Sequence, residues 1–196
     1  MDKRILKCGL IGGLIVFVWG MLSWIVIPWH NSVLQQFKDE KEVYAVIKDN
    51  ALESGIYIMP NMYCSRSGMS QSDHHKQIAD QKQMLQKGPV MFASVSVGKD
   101  LGMGIKPLVV ALLIQMVGAG IITWMVLQTK LTTFKKQVGF ITIAGVLVGV
   151  LGVLPYWNSW GFPCGYTLLT LADLVVGWFL AGLMMSKLLR KRSSGK

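Results

Sequence analysis

Residues 5–29 read ILKCGLIGGLIVFVWGMLSWIVIPW, a run that carries one charge, Lys7, near its start and none after it. As a helix rising 1.5 Å per residue it reaches about 37 Å, against about 30 Å for the hydrocarbon core of a bilayer. A cleaved signal peptide has a shorter apolar core followed by a small-x-small site. This run ends instead in Ile27-Pro28-Trp29-His30, the chemistry of an interfacial anchor. With Lys3, Arg4 and Lys7 in front of it, it reads as a signal anchor, and it sets the sidedness of everything that follows.

Three more runs are long and apolar enough to cross: Pro107–Leu127, Gly139–Leu154 and Tyr166–Met185. The second of these lies near the short end of the usual span. The chain is 52% hydrophobic over 196 residues, which suits a small polytopic membrane protein better than a soluble domain. The expected fold class is membrane all-α: a four-helix transmembrane bundle with a small α/β domain inserted between the first and second spans. The expected divisions are a cytoplasmic tail and first span over 1–29, an extracytoplasmic domain over 30–105, the remaining spans over 106–186, and a basic cytoplasmic tail over 187–196.

A net charge of +10 raises the question of nucleic acid. Its placement answers against that reading. The N-terminal tail carries +2, the turn with Lys130, Lys135 and Lys136 carries +3, and the tail from Lys187 to Lys196 carries +5. Residues 30–106 together with the lone intramembrane acid are balanced. That split follows the positive-inside rule for a chain with both termini in the cytoplasm, 30–105 outside, and an inner (plasma) membrane as its location. The basic segments then meet anionic lipid headgroups and no nucleic acid.

Within 30–105, Asp39 followed by Glu42 resembles a capping box, and Val43, Val46 and Ile47 keep helical spacing. GIYIMP (55–60) reads as a strand, Ser72 as the cap of a polar helix stopped by Gly88, and PVMFASVSVG (89–98) as a second strand. The expected order is helix–strand–helix–strand, with too little core to stand alone. In the bundle, the short basic turn predicts that the second and third spans pack as an antiparallel hairpin. Gly145, Gly149 and Gly152 offer a small-xxx-small face, and Ala172, Gly177 and Ala181 do so on the fourth span.

Residues that could carry chemistry are sparse. Asp173 and Gln115 fall at similar depth in the fourth and second spans, an intramembrane polar site that suits a proton or cation, or a structural hydrogen bond. Met62, Cys64, Met69, His74 and His75 bring thioether, thiol and imidazole groups together, a donor set for copper or zinc, although adjacent histidines diverge on a helix. Cys64 and Cys164 fall on the oxidising side and form a candidate disulfide. Cys8 reads as inert packing.

Four spans with outer cysteines are similar, in topology alone, to the quinone-linked disulfide-forming membrane enzymes, and the long first loop resembles that of claudin-type tetraspans. The paired cysteines of either class are missing, so neither implies a site here. No serine–histidine–acid or phosphate-cradling arrangement can be assigned from the sequence, and His30 reads as an interfacial anchor. The expectation is a non-enzymatic accessory, scaffold or sensor subunit with no cofactor, working through a protein partner or a second copy of itself. A small ion- or proton-coupled transporter using Asp173 and a periplasmic copper- or zinc-handling protein are the alternatives.

Overall fold

The computed structural model describes residues 2–61, 70–98 and 104–190. It contains four helices long and apolar enough to cross a membrane, with a two-stranded sheet beside two further helices. The protein is thus a multi-pass membrane protein. It divides into two units, one of residues up to 35 and from 104 onward, the other of 36–98.

The first span begins as α1 (Lys3–Met21), capped by Asp2, whose carboxylate accepts from the Arg4 N–H at 2.8 Å. Its last turn widens into a π turn over Leu22–Val26, closed by the Ile27 N–H donating to the Leu22 carbonyl at 3.0 Å. Pro28 has no N–H to continue the ladder, and Ile27 before it is extended. The chain then folds into a 3₁₀ turn over Pro28–Ser32.

The second span is α4 (Ile105–Gln128). The third is α5 (Phe134–Gly152), broken at Val153 and continued by α6 (Leu154–Trp160), and the fourth is α7 (Cys164–Arg190). The third and fourth are longer than hydropathy alone suggests, because each helix extends into polar flanking sequence.

The helices pack in the order α4–α1–α7–α5. The expected α4–α5 hairpin is therefore corrected: the two are joined by a short turn yet barely touch, and each packs on a different central helix. The reason is space. A Cβ on Gly13 would lie 2.5 Å from the Met116 nitrogen and 2.8 Å from the Gln115 carbonyl carbon, so α1 approaches the α4 backbone as only a glycine allows. On the other side, a Cβ on Gly12 would meet the Met185 sulfur of α7 at 2.5 Å. Gly145 and Gly149 of α5 receive Trp178 and Leu171 of α7, whereas Gly152 faces open space. Without a hydrophobic drive between helices in lipid, such close fits decide which pairs form. The core they enclose includes Cys8, Ala119, Ile141, Trp178, Ala181 and Met185.

In the second unit, Asp39 caps α2 (Glu40–Asn50), its carboxylate accepting the Lys41 and Glu42 N–H groups at 3.0 Å each. Strand β1 (Gly55–Met59) pairs antiparallel with β2 (Met91–Val95), Tyr57 opposite Ala93. Between them runs α3 (Gln71–Lys87), capped by Ser70 rather than Ser72. The order is the expected helix–strand–helix–strand. Among the described residues of this unit, Ala51 and Pro60 are buried and no other is.

Candidate functional site

Three side chains from three segments of the bundle unit meet in one cluster. Ser23 comes from the π turn, His30 from the 3₁₀ turn and Asp173 from α7. The Ser23 hydroxyl donates to Asp173 Oδ1 at 2.6 Å, and His30 Nε2 lies 2.9 Å from Asp173 Oδ2 and 3.0 Å from Ser23 Oγ. The Trp29 indole N–H donates to Ser23 Oγ at 3.0 Å and to the Ser23 carbonyl at 3.1 Å. Ser23 is 0% exposed and His30 2%, while the Asp173 side chain keeps 15%.

The local fold builds this arrangement. The extra residue of the π turn and the reversal at Pro28 turn the chain back, so that His30 returns beside Ser23 seven positions earlier. Trp24 stacks on the imidazole with centroids 3.9 Å apart, and Trp29 stands edge-on to it at 6.1 Å. Trp19 lies behind Trp29, also at 6.1 Å, and fits the space left by Gly177, one turn beyond Asp173. Two nitrogens in this aromatic wall, Trp19 Nε1 and His30 Nδ1, are buried with no hydrogen-bond partner among the described residues.

The geometry differs from that of a hydrolytic triad. There the hydroxyl and the carboxylate sit on opposite ring nitrogens, so that the imidazole takes the serine proton. Here both sit on Nε2, and the serine proton is directed to the carboxylate. The cluster is built to hold an ionised carboxyl with convergent donors, which is how a charge survives in a low-dielectric setting.

The sequence-derived sites fare differently. Asp173 is hydrogen-bonded to Ser23 and His30, and no hydrogen bond joins it to Gln115, whose helix α4 packs chiefly on α1. Thr167 and Thr170, which share its helix, donate to the carbonyls of Pro163 and Tyr166. The serine–histidine–acid grouping that the sequence does not assign is present in space, and His30, expected at the interface, is enclosed. The available signal was a histidine following Pro-Trp at the end of a span that also holds a serine.

Of the metal candidates, His74 is half-buried and His75 exposed on α3, while Met62, Cys64 and Met69 lie outside the described residues. Cys164 is exposed, has no disulfide partner among the described residues, and its sulfur takes the Trp157 indole N–H at 3.1 Å. Its candidate partner Cys64 lies outside the described residues. Compared with protein-family models, curated proteins and solved structures, the chain finds no match in any of the three.

Proposed function

We propose that the chain is a non-enzymatic accessory, scaffold or sensor subunit of an inner membrane, with both termini cytoplasmic and residues 36–98 presented on the outer side to a protein partner or a second copy. The observation that carries this reading is the unit's lack of an interior. Tyr44 is 66% exposed, Leu52 82% and Ile56 60%. Apolar side chains left open on this scale mark a surface meant to be covered. Each strand of its two-stranded sheet also keeps an unpaired edge among the described residues, a template for strand addition.

The sidedness rests on the distribution of lysine and arginine, which also brings the basic turn and tail against anionic headgroups. A proton- or ion-coupled transporter is the second reading, favoured by the partly exposed Asp173 carboxylate within the fourth span. It ranks lower because Asp173 is the one carboxylate within the four spans, and two other buried polar side chains donate locally. Thr123 donates to Ala119 of its own helix, and Gln137 to Leu131 just before its helix.

Photo-crosslinkers placed at Tyr44 and Ile56 of the full chain in native membranes test the proposal. A discrete protein adduct, or a covalent dimer, is expected. Adducts to lipid alone, with a strictly monomeric protein in mild detergent, would refute it. Sidedness is checked with thiol reagents at Lys135→Cys and Tyr44→Cys, which should label from opposite faces.

A further inference from the structure

We infer that Ser23, His30 and Asp173 form a proton-binding site that clasps the exit of the first span to α7 and releases it on acidification. This stands independently of what the outer unit binds.

Trp29 donates to Ser23, Ser23 donates to Asp173 Oδ1, and the remaining carboxylate oxygen faces His30 Nε2. A neutral imidazole protonated on Nε2 and an ionised carboxyl use each of these groups once. An added proton has two places to go. On the carboxyl it makes a donor that faces two donors, and the imidazole can accept it only by moving its own proton to Nδ1. On the imidazole it lands on Nδ1 directly. The second route, and the first wherever the imidazole becomes the acceptor, leaves an N–H on Nδ1, a nitrogen shut off from solvent with no acceptor among the described residues. A buried donor without a partner is a heavy penalty, and the Coulombic attraction of a desolvated ion pair does not reliably offset it. Turning the ring out to water satisfies Nδ1 and unmakes the clasp.

The groups facing His30 are Ser23 and Trp24 from the π turn, Trp29 from its own turn and Asp173 from α7. Of these, Asp173 and His30 itself are the titratable groups.

What the clasp holds is the start of the segment leading out of the bundle unit. The N–H groups of Val33 and Leu34 donate to the His30 carbonyl at 3.1 and 3.2 Å, so the backbone that follows is anchored through His30. Val33 packs on Gly165 of α7, where an added Cβ would lie 3.3 Å from it. Chain position 35 then ends the unit. Loss of the Asp173 contact therefore frees residues 30–35 while the spans stay packed.

The test uses the full chain in lipid nanodiscs, with Cys8, Cys64 and Cys164 replaced and a nitroxide placed on Leu34→Cys. A second label on Val110→Cys of α4 reports the integrity of the bundle. Going from about pH 8 to about pH 5, the range over which histidine ordinarily changes charge, the ratio of mobile to immobile label at position 34 should rise about tenfold. The label at position 110 should not change. His30→Gln keeps a donor toward Asp173 without a titrating ring, so its label should stay immobile at both pH values. Asp173→Asn should be mobile already at the higher pH. A wild-type label that ignores pH overturns the inference, as does a His30→Gln curve that follows the wild type. A response shared by position 110 also does so, because it would mean that the bundle unfolds.

Discussion

Adding one methyl group to Gly13 tests the packing on which the helix order depends. Alanine is ordinarily better than glycine in a helix by about 0.5–1 kcal/mol. At Gly13 the new carbon would lie 2.5 Å from the Met116 nitrogen and 2.8 Å from the Gln115 carbonyl carbon. Carbon contacts are comfortable at about 3.5–4.0 Å, so α1 and α4 must separate by about 1 Å. The obstacle is backbone, which has no rotamer to turn away. Overpacking of this kind costs about 1–3 kcal/mol, so Gly13→Ala should be destabilising by about 1–2 kcal/mol net.

Gly20, on the same helix, has nothing within 4 Å of an added Cβ, and Gly20→Ala should gain up to about 1 kcal/mol. Gly12→Ala falls between, since it meets the flexible end of Met185. Melting the three variants in one detergent should rank them Gly20→Ala, Gly12→Ala, Gly13→Ala, with the extremes roughly 5–10 °C apart. A Gly13→Ala protein that melts with or above Gly20→Ala would refute the close α1–α4 approach.

Two other substitutions probe the remaining contacts. Ser23→Ala strips a donor from Asp173 Oδ1 and the Oγ acceptor from the Trp29 indole; a loss of about 1–3 kcal/mol is expected. The same detergent melts measure it, and Trp29 fluorescence should shift as its N–H changes partner. Gly145→Leu drives a side chain into Trp178, whose ring carbon lies 2.6 Å from an ideal Cβ. It should separate α5 from α7 without touching α1–α4, read as loss of a disulfide cross-link engineered between α5 and α7 and survival of one between α1 and α4.

The four spans were legible from the chain because crossing a bilayer imposes length and apolarity on each helix separately, a constraint that residues 5–29 satisfy by themselves. The order of the elements between the first and second spans was equally readable: Asp39 before Glu42 sets a cap, and Gly55 to Met59 has the β-branched and aromatic content of a strand. These are local properties, settled within a few residues of one another. The cap of α3 was misplaced by two positions because Ser70 and Ser72 offer the same hydroxyl, and only the backbone geometry at Ser70, with its side chain accepting the Asp73 N–H, distinguishes them.

The partner of Asp173 was a different kind of question. Depth along the spans pointed to Gln115, and depth is all that hydropathy supplies. Which helix stands beside which is decided laterally, by the fit of Gly12, Gly13, Gly145 and Gly177 to particular side chains and backbone atoms. That fit puts α1 against α7 and brings His30 and Ser23 to a carboxylate 143 and 150 residues away. A sequence states how far each residue lies along its own rod. The neighbours across the bundle follow from steric complementarity between rods, which exists only once they are packed.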